Sequence, residues 1–121
     1  MYPLFDKNCD LVGWLELGEH IFDTEMNWVG YISGGNVWSA ETGDWLGPIM
    51  GLTCLDRNGK PILWNPDKTI QTSMRPISPI RAIRAIRPIR PIRPINPIRP
   101  IRPIVPIGGW SELSWNEWCN Q

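Results

Sequence analysis

Long apolar runs are missing from this chain. No uninterrupted stretch approaches the length needed to cross a membrane, and the start, MYPLFDKNC, lacks the positive segment and apolar core of a signal peptide. Cysteine is sparse. Cys9, Cys54 and Cys119 cannot all pair within one chain, and their spacing fits no metal motif, so a reduced, cytoplasmic setting is expected. Histidine is almost absent, with His20 alone among 121 residues. A Cys–His pair using Cys9 or Cys54 has no local signature, and no glycine-rich phosphate loop follows a strand to open a helix. These shortages point to a protein that is not an enzyme, with no catalytic residues, no cofactor and no metal.

Acidic residues are also absent, but only from one stretch. Residues 75–107 hold eight arginines and no Asp or Glu, whereas residues 1–74 hold ten acids against four bases. The net charge of zero therefore hides a body of −6 and a tract of +8, and the two are expected to attract. The tract reads RPISPIRAIRAIRPIRPIRPINPIRPIRPIVPI, eleven triplets of Arg-Pro-Ile type. Ser78, Asn96 and Val105 interrupt the arginine column, and Ala82 and Ala85 the proline column. The isoleucine column is unbroken. Glycine is missing here too, which excludes a collagen helix. Proline at most third positions removes ladder donors and blocks the helical interior, except across residues 80–87, too few for a helix to stand alone. A period of three is that of polyproline II, so the tract is expected to be a left-handed rod with proline, isoleucine and arginine faces. Fully extended it would reach roughly 100 Å, against about 30 Å for a compact body of residues 1–74.

What is abundant is tryptophan, at eight residues, and what is regular is the body. Leu4-Phe5-Asp6 leads to Gly13-Trp14-Leu15, Ile21-Phe22-Asp23 to Gly30-Tyr31-Ile32, Val37-Trp38-Ser39 to Gly47-Pro48-Ile49, and Cys54-Leu55-Asp56 to Leu63-Trp64-Asn65. The units start at 5, 22, 38 and 55. Each reads as a β-hairpin: an apolar strand ending at aspartate or serine, turn residues, and a returning strand. Asp56-Arg57-Asn58-Gly59 is the clearest turn. Cys9 and Met26 stand where Gly59 does, so the turn types are expected to differ between units. The repeated Asp6, Asp23 and Asp56 are read as turn residues rather than as a Ca²⁺ ring. Four such hairpins set radially would bury their aromatics and leave short edges. Gly13, Gly30 and Gly47 suit points where backbones converge. The expected fold class is all-β, with four hairpin repeats about a pseudo-four-fold axis in residues 1–65. A linker (66–74), the tract (75–107) and a Trp-rich tail (108–121) follow, the tail holding a short helix from Glu112 to Cys119 capped by Ser111.

These repeats, together with Trp38-Ser39-Ala40-Glu41-Thr42-Gly43, Leu52-Thr53-Cys54-Leu55-Asp56-Arg57-Asn58-Gly59-Lys60-Pro61 and Gly109-Trp110-Ser111-Glu112-Leu113-Ser114-Trp115, resemble the bacterial four-fold β-flower domain. The resemblance covers nearly the whole chain. It implies antiparallel hairpins as petals and carries over no catalytic residue. A looser similarity of that fold to tubby-like and scramblase-like barrels suggests binding of lipid or a small apolar ligand, by analogy of fold alone.

Binding is the function class with most support. The first reading makes the chain a structural or interaction module, in which the tract packs on the Trp-rich acidic body of the same chain or of another copy. Ile89, Ile92, Ile95 and Ile98 would be its apolar contacts and Trp14, Trp28, Trp38 and Trp64 the receiving rings, with arginines pairing to acids or stacking on indoles. The second makes Arg81, Arg84, Arg87, Arg90, Arg93, Arg99 and Arg102 a strip for phosphates of anionic lipid or nucleic acid. An unbroken isoleucine column favours the first, because a phosphate binder gains nothing from so large an apolar stripe.

Overall fold

The computed structural model describes residues 1–72, 87–92, 94, 95, 97, 100, 106 and 108–121. Eight strands follow one another: β1 (Tyr2–Phe5), β2 (Leu11–Glu16), β3 (His20–Asp23), β4 (Trp28–Ser33), β5 (Asn36–Ser39), β6 (Trp45–Met50), β7 (Thr53–Leu55) and β8 (Pro61–Leu63). Every strand pairs antiparallel with the next, in chain order. Phe5 and Trp64 then exchange backbone hydrogen bonds of 2.9 and 3.0 Å, bringing the last hairpin back to the first. The result is an all-β, nearly closed, barrel-like sheet of four hairpins. No helix among the described residues is long and apolar enough to cross a membrane.

The repeat expected from sequence is repeated in geometry. A register shift falls at Leu4/Phe5, Ile21/Phe22, Val37/Trp38 and Cys54/Leu55, at the same place in each unit. Such bulges sharpen the local twist, and four of them help curl the sheet round. A Cβ built on Gly13, Gly30 or Gly47 would run into the carbonyl oxygen of Phe22, Trp38 or Leu55 respectively, each at the same position of the following hairpin. At 2.5 and 2.1 Å, Gly13 and Gly47 leave no room for a side chain, and at 3.0 Å Gly30 leaves little.

The turns correct one expectation. Cys9 and Met26 were expected to escape the left-handed conformation, yet their φ values are 63° and 62°, beside 75° for Gly43 and 85° for Gly59. Three of the turns share one hydrogen-bond spacing, and that of the third hairpin, from Ser39 to Gly43, is one residue longer. The amide of Cys9, Met26, Gly43 or Gly59 donates to the carbonyl of Asp6, Asp23, Ser39 or Asp56. In three of them one carboxylate oxygen also accepts two amides: Asn8 and Asp10 for Asp6, Glu25 and Asn27 for Asp23, Asn58 and Lys60 for Asp56. The aspartates thus serve their own turns. A left-handed non-glycine residue costs roughly 1–2 kcal/mol. Here the same conformation buries the Cys9 and Met26 side chains in apolar clusters, which returns a comparable amount, about 1.5–3 kcal/mol for a large side chain.

The main core joins Leu4, Leu15, Ile21, Val37, Leu46, Leu52, Cys54, Ile62 and Leu63 to Trp118. Trp118 belongs to the one helix among the described residues, α1 (Trp115–Cys119), which starts later than expected. Ser114, not Ser111, is its cap: Ser114 Oγ accepts from the Glu117 amide and Glu117 Oε1 from the Ser114 amide, a reciprocal box that satisfies two amides at once. Ser111 instead donates through its hydroxyl to Asp56 Oδ2 at 2.7 Å, and its amide donates to the Pro61 carbonyl.

Candidate functional site

The described part of the tract keeps a period of three in its burial. Pro88, Pro91, Pro94, Pro97 and Pro100 are half-buried and Pro106 is buried, while Arg87, Arg90, Ile89, Ile92 and Ile95 are exposed. The isoleucines are 94%, 94% and 95% exposed. One anchor to the body is explicit: a terminal nitrogen of the Arg90 guanidinium donates to the Glu25 carbonyl oxygen at 2.6 Å. Glu25 precedes the left-handed Met26, whose side chain lies with Trp14 and Phe22, so the tract meets the tip of the second hairpin. Arg81, Arg84, Arg93, Arg99, Arg102 and Ile98 lie outside the described residues.

Of the two partners expected for the isoleucine column, its own body or another copy, the body does not cover the described isoleucines. At Ile89, Ile92 and Ile95 it faces solvent, and the proline column is the half-buried one. Proline rings lose no side-chain entropy when packed, whereas arginine keeps its head hydrated.

The nominated tryptophans do not form an open aromatic surface. Trp14, Trp38 and Trp64 are buried. The indole N–H of Trp38 donates to the Ser33 carbonyl at 3.2 Å, and that of Trp64 to the Asp6 carbonyl at 2.7 Å. Trp28 is half-buried, with its ring 6.2 Å from Tyr31 and edge-on to His20 at 5.9 Å. The Nε1 atoms of Trp14 and Trp28 and the Tyr31 hydroxyl are buried without a hydrogen-bond partner. Trp64 also lies 6.1 Å from Phe5 and 6.4 Å from Trp110, at the seam of the sheet.

One polar group was not anticipated. In the link between the first two hairpins, His20 Nδ1 lies 3.1 Å from Glu16 Oε1 and 3.9 Å from Glu19 Oε2. The hydrogen bond from His20, with the Glu19 side chain beside it, holds the Glu16 carboxyl below its ordinary value. The signal was present as Glu-Leu-Gly-Glu-His, but only the pairing of Glu16 with His20 across β2 and β3 turns that spacing into a cluster.

The clefts are polar at their rims. One of about 200 Å³ is bordered by Asp23, Trp28, Ser39, Glu41 and Trp115, and a wider one by Asp56, Arg57, Lys60, Ser111 and Glu112. Trp118 is packed in the main core with residues from both ends of the sheet.

A family model described as a 4-fold beta flower protein matches residues 2–119. No curated protein and no solved structure gives a significant match.

Proposed function

Because the chain belongs to the 4-fold β-flower family, whose description names a fold and no reaction, we propose that it is a non-enzymatic self-association module. The tract lies along its own body by the proline column and offers the isoleucine column to another copy. The observation that carries this reading is the exposure of Ile89, Ile92 and Ile95 on successive triplets while the intervening prolines are half-buried. That burial period is the one a polyproline II rod would show.

Energetics favours a partner for that stripe. Burying an isoleucine is worth about 1.5–3 kcal/mol, so three of them roughly match the lower range of association costs, 4–15 kcal/mol. The rest comes from charge. The sequence sets eight arginines beside the isoleucines and an excess of six acids on residues 1–74, so the tract of one copy complements the body of the next. A reduced, cytoplasmic setting fits three cysteine thiols, two of them buried.

Analytical ultracentrifugation of the full chain tests the proposal. The wild type should self-associate with rising concentration, and Ile89→Ser/Ile92→Ser/Ile95→Ser should remain a monomer with an unchanged unfolding midpoint, because these side chains touch little within one chain. A wild type that stays monomeric, or a triple variant that associates as well as it does, overturns the reading.

The exposure of Arg87 and Arg90 favours a second reading, in which the arginine column binds the phosphates of anionic lipid or nucleic acid. Binding of RNA or anionic vesicles that falls steeply with salt, and is lost in Arg87→Gln/Arg90→Gln, would support it.

A further inference from the structure

The links between hairpins occupy equivalent places in the sheet but differ in length and chemistry. Each is closed by one cross-strand pair: Glu16 with His20, Ser33 with Asn36, and Met50 with Thr53. The first link holds one residue more than the others between the paired positions. It also replaces neutral pairs with a carboxylate and the chain's single histidine, and adds Glu19. A turn needs none of this, since the shorter links close without it.

The three side chains converge. One donor atom from each of Glu16, Glu19 and His20 lies within 4.8 Å of the other two. Donors bound to a common ion at about 2.1 Å stand roughly 3.0–3.4 Å apart in octahedral or tetrahedral arrangement. The distance from His20 Nδ1 to Glu16, 3.1 Å, falls within that range, and the distance to Glu19, 3.9 Å, lies above it. Only Glu19, with a side chain 65% exposed, has to swing inward.

The support around the ligands is firm. The imidazole is 16% exposed, packed at 6.1 Å against Phe22 and edge-on to Trp28, so Nδ1 is held toward the carboxylates. The Glu19 amide donates to the Glu16 carbonyl, and the Glu19 carbonyl accepts from the Ile32 amide at 2.8 Å, which fixes the link against β4.

We propose that Glu16, Glu19 and His20 bind a divalent transition-metal ion of the zinc class. One imidazole nitrogen with two carboxylates suits Zn²⁺ and its neighbours in the first transition row, whereas Ca²⁺ calls for six to eight oxygens. Two carboxylates and a neutral imidazole carry −2, which the ion neutralises. In the ion-free state Nδ1–H donates to Glu16. On binding, Nδ1 gives its lone pair to the metal and the ring proton moves to Nε2, so imidazole stays neutral. Three protein ligands leave at least one coordination position for water.

The single histidine makes the test direct. Zn²⁺ is titrated into the full chain while the imidazole nitrogens of His20 are followed by NMR, with calorimetry in parallel on wild type, His20→Gln and Glu19→Gln. The His20 resonances should shift saturably at one ion per chain. His20→Gln should abolish that isotherm, and Glu19→Gln, at an exposed position that leaves folding intact, should weaken it by about ten- to a hundredfold. Imidazole resonances that do not respond to Zn²⁺ overturn the proposal. So does an isotherm that survives His20→Gln, which would place the ion on the thiols, or a stronger response to Ca²⁺ than to Zn²⁺.

Discussion

The indole N–H of Trp118 donates to the carbonyl of Leu55 at 3.2 Å, joining the last helix to the strand that opens the fourth hairpin. Leu55 and Trp118 lie far apart in the chain and both are fully buried. The tail is therefore part of the core rather than a cover laid over it.

Trp118→Ala should destabilise the fold by about 3–5 kcal/mol, the usual cost of emptying a large aromatic site. Urea unfolding followed through the remaining tryptophans measures it. A chain ending at residue 107 should behave at least as poorly. A loss below about 1 kcal/mol would mean that the sheet closes over its core without the helix.

The turn aspartates should not be equal. Asp6 and Asp56 each accept two backbone amides, but Asp56 also accepts the Ser111 hydroxyl at 2.7 Å in a buried position. Asp6→Ala should cost about 1–2 kcal/mol and Asp56→Ala about 1 kcal/mol more, since it also leaves a buried hydroxyl without its acceptor. Paired unfolding curves decide this, and equal losses would remove the Ser111 bond from the account.

The thiols should tie stability to alkaline pH. Burial pushes the Cys54 thiol far above the ordinary range, with Cys119 adding to the effect. Burial, helped by Asp23, pushes Cys119 up to about 12. Unfolded thiols ionise near 8.5, so above that pH the unfolded chain releases protons that the folded chain keeps. The stabilisation is complete below about pH 8.5 and fades as pH rises toward 12, by about 1.4 kcal/mol per thiol for each pH unit. The urea midpoint of Cys54→Ala should fall less steeply than the wild type's between pH 8.5 and 10.5. At neutral pH, alkylation of Cys54 should wait for unfolding. Rapid modification of native Cys54 would contradict its burial.

Much of the architecture could be read from residues in order, because its causes are local. Asp56-Arg57-Asn58-Gly59 declares its turn, and the same spacing recurs at 16–17 residues, so the four hairpins follow without knowledge of their packing. Gly13, Gly30 and Gly47 were legible as places of close approach for the same reason. Cys9 and Met26 were not legible as left-handed residues. Local propensity argues against it, and only the carboxylate that anchors each turn and the apolar cluster that takes each side chain outweigh the strain.

The site shows the same division. A period of three predicts three faces for the tract, but not which one turns inward. That depends on what the body offers, and at the second hairpin it offers the Glu25 carbonyl to Arg90 and leaves the neighbouring isoleucines in water. The three ligand residues of the first link are likewise close in sequence, yet it is the β2–β3 register that sets Glu16 opposite His20.

By itself, then, the sequence determined the elements and their repetition: hairpin turns, points of close backbone approach, the segregation of acids from arginines, and the triplet period of the tract. Those properties follow from backbone conformation and composition, which act over a few residues. The closure of Phe5 on Trp64, the seating of Trp118 in the core, the left-handed conformation of Cys9 and Met26 and the outward turn of Ile89, Ile92 and Ile95 were decided by tertiary structure. Each depends on which distant surfaces are left to bury once the sheet has curled, a balance of packing, strain and desolvation that exists only when the chain is folded.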